Sequence, residues 1–93
     1  MQIQHKKLDK QGVFYIEEDG NLLAEMTYSD ASPGKIIIEH TEVDEKLRGK
    51  NIGYELVHTA VEYARENNFK IVPLCVFAKA VFDKKAEFQD VLA

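Results

Sequence analysis

Val43-Asp-Glu-Lys-Leu-Arg-Gly-Lys-Asn-Ile-Gly-Tyr-Glu-Leu56 decides how the chain is read. Before it runs a β-branched stretch, Lys35-Ile-Ile-Ile-Glu-His-Thr-Glu-Val43, and after it a periodic helix that opens near Ile52. A strand, a glycine-containing turn with Arg48 and Lys50, and a helix start together make a local recipe for holding phosphate. The first amides of a helix lack intrahelical partners, and its macrodipole favours negative charge beside them. Gly49 and Gly53 allow close backbone approach, and Gly49 can also take positive φ. A phosphate-bearing cofactor is expected here.

Working downstream, Ile52, Leu56, Val57, Ala60, Val61 and Ala64 share one helical face. Asn67-Asn68 ends that helix, because asparagine tolerates a left-handed C-cap. Lys70-Ile-Val-Pro-Leu-Cys75 reads as a short strand with Pro73 at its end or at a bulge. The intervening helix implies that this strand lies parallel to Lys35–Val43, joined by a right-handed crossover. Phe77, Ala80, Val81 and Lys84 then resume a helical spacing, and Phe88, Val91 and Leu92 dock a last turn.

Upstream, Gln2 to Lys7 reads as an edge strand and Gly12 to Glu18 as a second, closed by the hairpin signal Asp19-Gly20. Leu22 to Ser29 returns, and Ser32-Pro33-Gly34 turns the chain into Lys35–Val43. The expected fold is α/β (α+β): an antiparallel meander leading into a parallel strand pair, with a crossover helix and a C-terminal helix. At 93 residues, one domain over residues 1–93 is expected. A net charge of −4 argues against nucleic-acid binding, so a phosphate site must be a local positive spot made by Lys46, Arg48 and Lys50. The one cysteine cannot pair internally, and no apolar run approaches the ~20 residues of a membrane helix. A cytoplasmic protein with no membrane partner is the default expectation.

With these residues in place, the chain resembles the GNAT superfamily of acetyl-CoA-dependent N-acyltransferases. Arg48-Gly-Lys-Asn-Ile-Gly53 is similar to that family's pyrophosphate motif, Arg/Gln-x-x-Gly-x-Gly/Ala, with Asn51 at the middle glycine. More narrowly, His40-Thr-Glu-Val43, Leu47-Arg-Gly-Lys50, Ile52-Gly53 and Pro73-Leu-Cys75 followed by Phe77 resemble a minimal GNAT-like subgroup of about ninety residues. The resemblance implies acetyl-CoA as co-substrate. Its pyrophosphate would lie on the amides of Arg48, Gly49, Lys50, Asn51, Ile52 and Gly53. Its pantetheine arm would lie beside Thr41, Glu42 and Val43, where the two parallel strands splay apart.

Two departures matter. Many members carry an Asn, an Ala and a Tyr where this chain has Cys75, Ala78 and Phe82, so the usual phenol that protonates the leaving thiolate is missing. The chain also lacks the further strands and helices that shape the acceptor pocket of full-length members. The resemblance therefore implies acetyl transfer to a primary amine of unknown identity. An open site suits an acceptor carried on a large molecule, such as a protein lysine. The rival readings are a non-catalytic CoA- or acyl-CoA-binding module, acting as sensor or partner-binding domain, and a structural interaction domain whose basic turn binds nothing.

Acetyl transfer needs a neutral amine, a donor for the carbonyl oxygen and a proton for the departing thiolate. His40, near the end of the central strand, is the candidate base, since imidazole changes protonation nearest neutral pH. Cys75, at the end of the neighbouring strand, is the candidate acid, or a nucleophile when ionised. A backbone N–H of Thr41 or Glu42 would serve the carbonyl, and Glu39 or Glu42 could act as base through a water. A lone histidine or cysteine is more often a packing residue, so these roles depend on the two strand ends being adjacent. His5 and His58 read as surface residues, and Tyr54 and Tyr63 as packing residues at helix edges. His5, His58 and Cys75 have no metal-ligand spacing, so no metal is expected.

Overall fold

A computed structural model describes residues 2–93. Its sheet runs β1 (Gln4–Leu8), β2 (Gln11–Glu18), β3 (Asn21–Ala31), β4 (Lys35–Val43) and β5 (Lys70–Pro73), in spatial order identical to chain order. The first four strands are antiparallel neighbours, and β4 pairs with β5 in parallel. Crossover helix α1 (Ile52–Asn67) joins that last pair, as parallel strands require. Helix α2 (Val76–Lys84) and a 3-10 turn over Ala86–Val91 complete the order. Asn68 caps α1 in the left-handed conformation, at φ 58°. Among the described residues, no helix is long and apolar enough to cross a membrane.

One face of the sheet carries the core. Alternation along the strands points Phe14, Ile16, Ala24, Met26, Tyr28, Ile36 and Ile38 to that face, where all are buried. Against them α1 sets Leu56, Val57, Ala60, Val61 and Ala64, with Ala78 and Phe82 from α2 and Phe88 and Val91 from the last turn. The opposite face has no helical cover and presents half-exposed Val13, Glu25, Thr27, Ser29 and Ile37. The expected spacing in α2 was displaced by one residue. Ala78 and Phe82 are the buried pair, whereas Phe77 and Ala80 are exposed.

His5 is more than the surface residue its polarity suggests. The residue is exposed, but its ring stacks on Phe14 with centroids 4.4 Å apart, and Nε2 lies 2.5 Å from the hydroxyl of buried Tyr28. Tyr63 closes the group, edge-on to both His5 and Phe14. Burial, then the charge of Lys7, holds the His5 imidazole below its ordinary value of 6.5. The unfolded chain therefore binds this proton first as pH falls. Its contribution to stability is complete above the ordinary value and is lost as pH drops toward the folded one. His5→Phe should keep the stacking and remove that pH-dependent contribution. Denaturant midpoints compared between about pH 7 and about pH 5 should fall less in the variant than in the wild type. An unchanged acid limb would remove His5 as its source.

Candidate active site

A bulge in β4 fixes which side chains reach the site. Tyr28 pairs with Ile38 and Thr27 with His40, so Glu39 has no partner in register. Its carboxylate accepts a 3.0 Å hydrogen bond from Ser29 Oγ. Unbroken alternation from Ile36 and Ile38 would send His40 and Glu42 under the helices. The extra residue reverses the phase, so that Thr41 and Val43 line a cavity on the helical side. His40 and Glu42 project on the other side, where Nε2 of His40 meets Oε1 of Glu42 at 2.7 Å.

The parallel pair opens at the same level. Its register runs from Lys35↔Lys70 to Ile38↔Pro73, and Pro73 has no N–H to extend it. The N–H groups of Leu74 and Cys75 both converge on the Ile38 carbonyl, at 3.0 and 3.1 Å, before the chain turns into α2. The end of β4 then continues to Val43 without a neighbour on that side. Asp44 N–H donates to the Leu23 carbonyl in β3 at 2.8 Å. By alternation, the backbone groups of Thr41 and Val43 face the gap left by β5. The Val43 groups and the Thr41 carbonyl have no backbone partner there, whereas the Thr41 N–H is directed at Cys75 Sγ.

The turn between β4 and α1 presents amides. Asp44 caps a 3-10 turn over Glu45–Leu47, accepting from Lys46 N–H at 2.9 Å, and buried Leu47 anchors it. Gly49 then takes φ 81° and Asn51 φ 62°. Asparagine is among the few side chains that accept this left-handed conformation, so Asn51 can replace glycine at the middle of the motif. The first helical hydrogen bond is Glu55 N–H to the Asn51 carbonyl, at 3.1 Å. The amides of Gly49, Asn51, Ile52, Gly53 and Tyr54 have no backbone partner, and the Asn51 side chain does not cap them. These amides are ready to receive an anion.

They border a cavity of about 710 Å³ that runs between the turn, the end of β4 and α2. Of the expected contact residues, Thr41, Val43, Arg48, Gly49, Asn51, Ile52 and Gly53 line it, while Glu42 and Lys50 stand outside the lining. The Arg48 and Lys50 amides, expected among the anion-binding groups, are instead taken up by the Glu45 and Leu47 carbonyls at 3.1 and 3.3 Å, because the 3-10 turn continues into them. Gly53 lets α1 and α2 approach, because a β-carbon there would overlap the Phe77 ring. Sequence reasoning missed the α2 wall. Phe77, Val81 and Lys84 share a helical stripe that reads as packing, yet with Lys85 and Tyr54 they face the cavity.

Cys75 is the N-cap residue of α2, and its Sγ lies 3.3 Å from Thr41 Oγ1. The thiol makes no capping hydrogen bond as a neutral group. Burial pushes its pKa up, but the Thr41 hydroxyl and the N–H groups of Ala78, Phe77 and Thr41 outweigh burial, leaving it below the ordinary value. His40 and Cys75 are not in contact: alternation puts His40 on the far side of β4 from the Thr41–Cys75 pair. Phe82 is 1% exposed and packs against Phe88, so the position of the missing phenol lies in the core. Among the described residues, no group of three or more His, Cys, Asp or Glu side chains is placed to hold a metal.

Comparison with known proteins bears on this arrangement. The family model described as GCN5-related N-acetyl-transferase matches residues 13–91. A GCN5-like protein from Staphylococcus aureus, solved in solution, is 40% identical and superposes with a TM-score of 0.76 over 97% of this chain and 87% of its own. A ribosomal-protein-alanine N-acetyltransferase from Brucella melitensis is 20% identical, with a TM-score of 0.68 over 83% of this chain and 62% of its own. A predicted acetyltransferase from Clostridium acetobutylicum, solved with acetyl-CoA, is 21% identical, with a TM-score of 0.64 over 80% of this chain and 55% of its own. The chain thus spans little more than half the length of these last two proteins, whose likeness is one of fold. No curated protein matches it.

Proposed function

The chain belongs to the GCN5-related N-acetyltransferase family, and on that premise we propose that it binds acetyl-CoA and transfers the acetyl group to a primary amine. The observation that carries this reading is the set of unpartnered amides, Gly49 and Asn51 through Tyr54, beside a cavity whose other edge is the unpaired end of β4. A diphosphate fits those amides, and an amide-bearing arm fits Thr41 and Val43. Acetyl-CoA supplies the activated acetyl thioester.

The thioester end of the arm then lies near Thr41 and Cys75, with the core helices behind it. An amine reaches the carbonyl carbon from the open face of the sheet, where His40 stands hydrogen-bonded to Glu42. The N–C bond forms as the C–S bond breaks. His40 Nε2 takes the proton that the amine loses, with Glu42 orienting the ring. Cys75 Sγ gives its proton to the departing thiolate, and its lowered pKa makes that transfer favourable. The competing reading, a CoA-binding module without turnover, draws on Phe82, which puts no phenol at the site.

Calorimetric titration of CoA tests the shared premise. Wild-type protein should bind saturably, and Gly53→Val should bind roughly tenfold or more weakly, because the new side chain displaces Phe77 into the space of the arm. Phe77 is 43% exposed, so its ring can swing aside and the fold should survive, as circular dichroism will report. Absence of binding at millimolar CoA would end both readings.

A further inference from the structure

The cavity is charged in one sense only. The chain as a whole carries a net charge of −4, yet the charged residues of the lining are Arg48, Lys84 and Lys85, with no aspartate or glutamate among them. Arg48 belongs to the turn that carries the unpartnered amides. The two lysines belong to the opposite wall. Neither forms an ion pair with a carboxylate among the described residues, although Lys79 on the same helix pairs with Asp83. Lys85 Nζ is held 4.9 Å over the Tyr54 ring, at the edge of the same cavity.

Position along α2 gives the charge a meaning. The helix lines the cavity first with Phe77, beside Cys75 and the splayed strands, next with Val81, and last with Lys84 and Lys85. At 1.5 Å per residue, the lysines stand about 10 Å beyond Phe77 along the axis. The wall therefore grades from apolar to cationic. Coenzyme A grades the same way, from its thioester arm through a diphosphate to a ribose that carries a separate phosphate.

We propose that Lys84 and Lys85 form a second phosphate seat, distinct from the amides of the turn, which binds the ribose phosphate of coenzyme A and selects it over dephospho-CoA. The inference rests on the coenzyme reading above. The amides take the diphosphate, and the cation pair across the cavity takes the remaining dianion. The Tyr54 ring holds Lys85 in place before the ligand arrives, which lowers the ordering cost of the contact.

Calorimetry with two ligands and three proteins tests this. The wild type should bind CoA about tenfold tighter than dephospho-CoA, the strength of charge-assisted contacts at a partly solvated site. The double variant Lys84→Gln/Lys85→Gln should lose that preference by weakening on CoA while keeping its affinity for dephospho-CoA. Arg48→Gln, altered at the diphosphate, should weaken both ligands alike and keep the preference. Equal wild-type affinity for the two ligands overturns the inference and leaves the coenzyme reading standing. So does a preference that vanishes in Arg48→Gln but persists in the lysine variant. A wild type that binds neither ligand overturns both.

Discussion

Gly12→Val should lower stability by about 3 kcal/mol, the upper end of the usual cost of overpacking. In a domain of this size that corresponds to a melting temperature lower by roughly 12–24 °C. Gly12 lies in β2 opposite Tyr28, and any β-carbon there would enter the Tyr28 ring. The ring has no way out. It is 1% exposed, stacks with Phe14 at 5.3 Å and is hydrogen-bonded to His5 through its hydroxyl. Moving it would open the aromatic group that fixes β1 to the sheet and Tyr63 of α1 to both. Gly20→Ala is the control. Gly20 has φ 80° but nothing within 4 Å of an added β-carbon, so only backbone strain of about 1 kcal/mol should appear. If Gly12→Val melts within a few degrees of Gly20→Ala, the Tyr28 ring is mobile and the packing account fails.

The contrast between these glycines parallels what the sequence made legible. Both are plain letters in one hairpin, Gly12 within β2 and Gly20 in its turn, and only the partner strand says which one is enclosed. Where a property is local, the sequence carries it. The Ile-rich run and its turn residues place β4 at Lys35–Val43, and the 3.6-residue period with a paired-asparagine stop places α1 at Ile52–Asn67. The turn proposed to hold the diphosphate is legible for the same reason, since glycines before a helix start act through their own backbone.

What failed to show depends on pairing. The unmatched Glu39 arises from the register between β3 and β4, and without it the facing of every residue from His40 to Val43 is reversed. Strand adjacency alone therefore brings His40 and Cys75 to one level of the sheet but not to one side. The α2 stripe misled in the opposite sense. Phe77 and Val81 are apolar at helical spacing because they wall a cavity, and periodicity cannot tell a wall from a core. His5 gives no signal at all, because its partners Phe14, Tyr28 and Tyr63 come from three other elements.

The largest catalytic effect is expected from Cys75→Ala, a fall of about a hundredfold in kcat with the affinity for CoA nearly unchanged. Cys75 stands outside the cavity lining, so removing its sulfur deprives Thr41 of one neighbour and leaves the diphosphate seat intact. The pH profile decides the role. As proton donor, Cys75 must be protonated, so activity should decline on the alkaline side through a value below the ordinary thiol pKa of 9.0, because the net shift is downward. The variant should lack that decline. A nucleophilic thiolate would give the reverse sign, a rise in rate through the same value, together with ping-pong kinetics. Release of CoA thiol in the presence of a panel of amines, including lysine-containing peptides, measures the rate. Full turnover in Cys75→Ala would remove the cysteine from the chemistry. A wild type that binds CoA and acetylates no amine would favour the binding module, because Phe82 is sealed in the core and Cys75 is then left holding Thr41 in place at the mouth of the splayed strands.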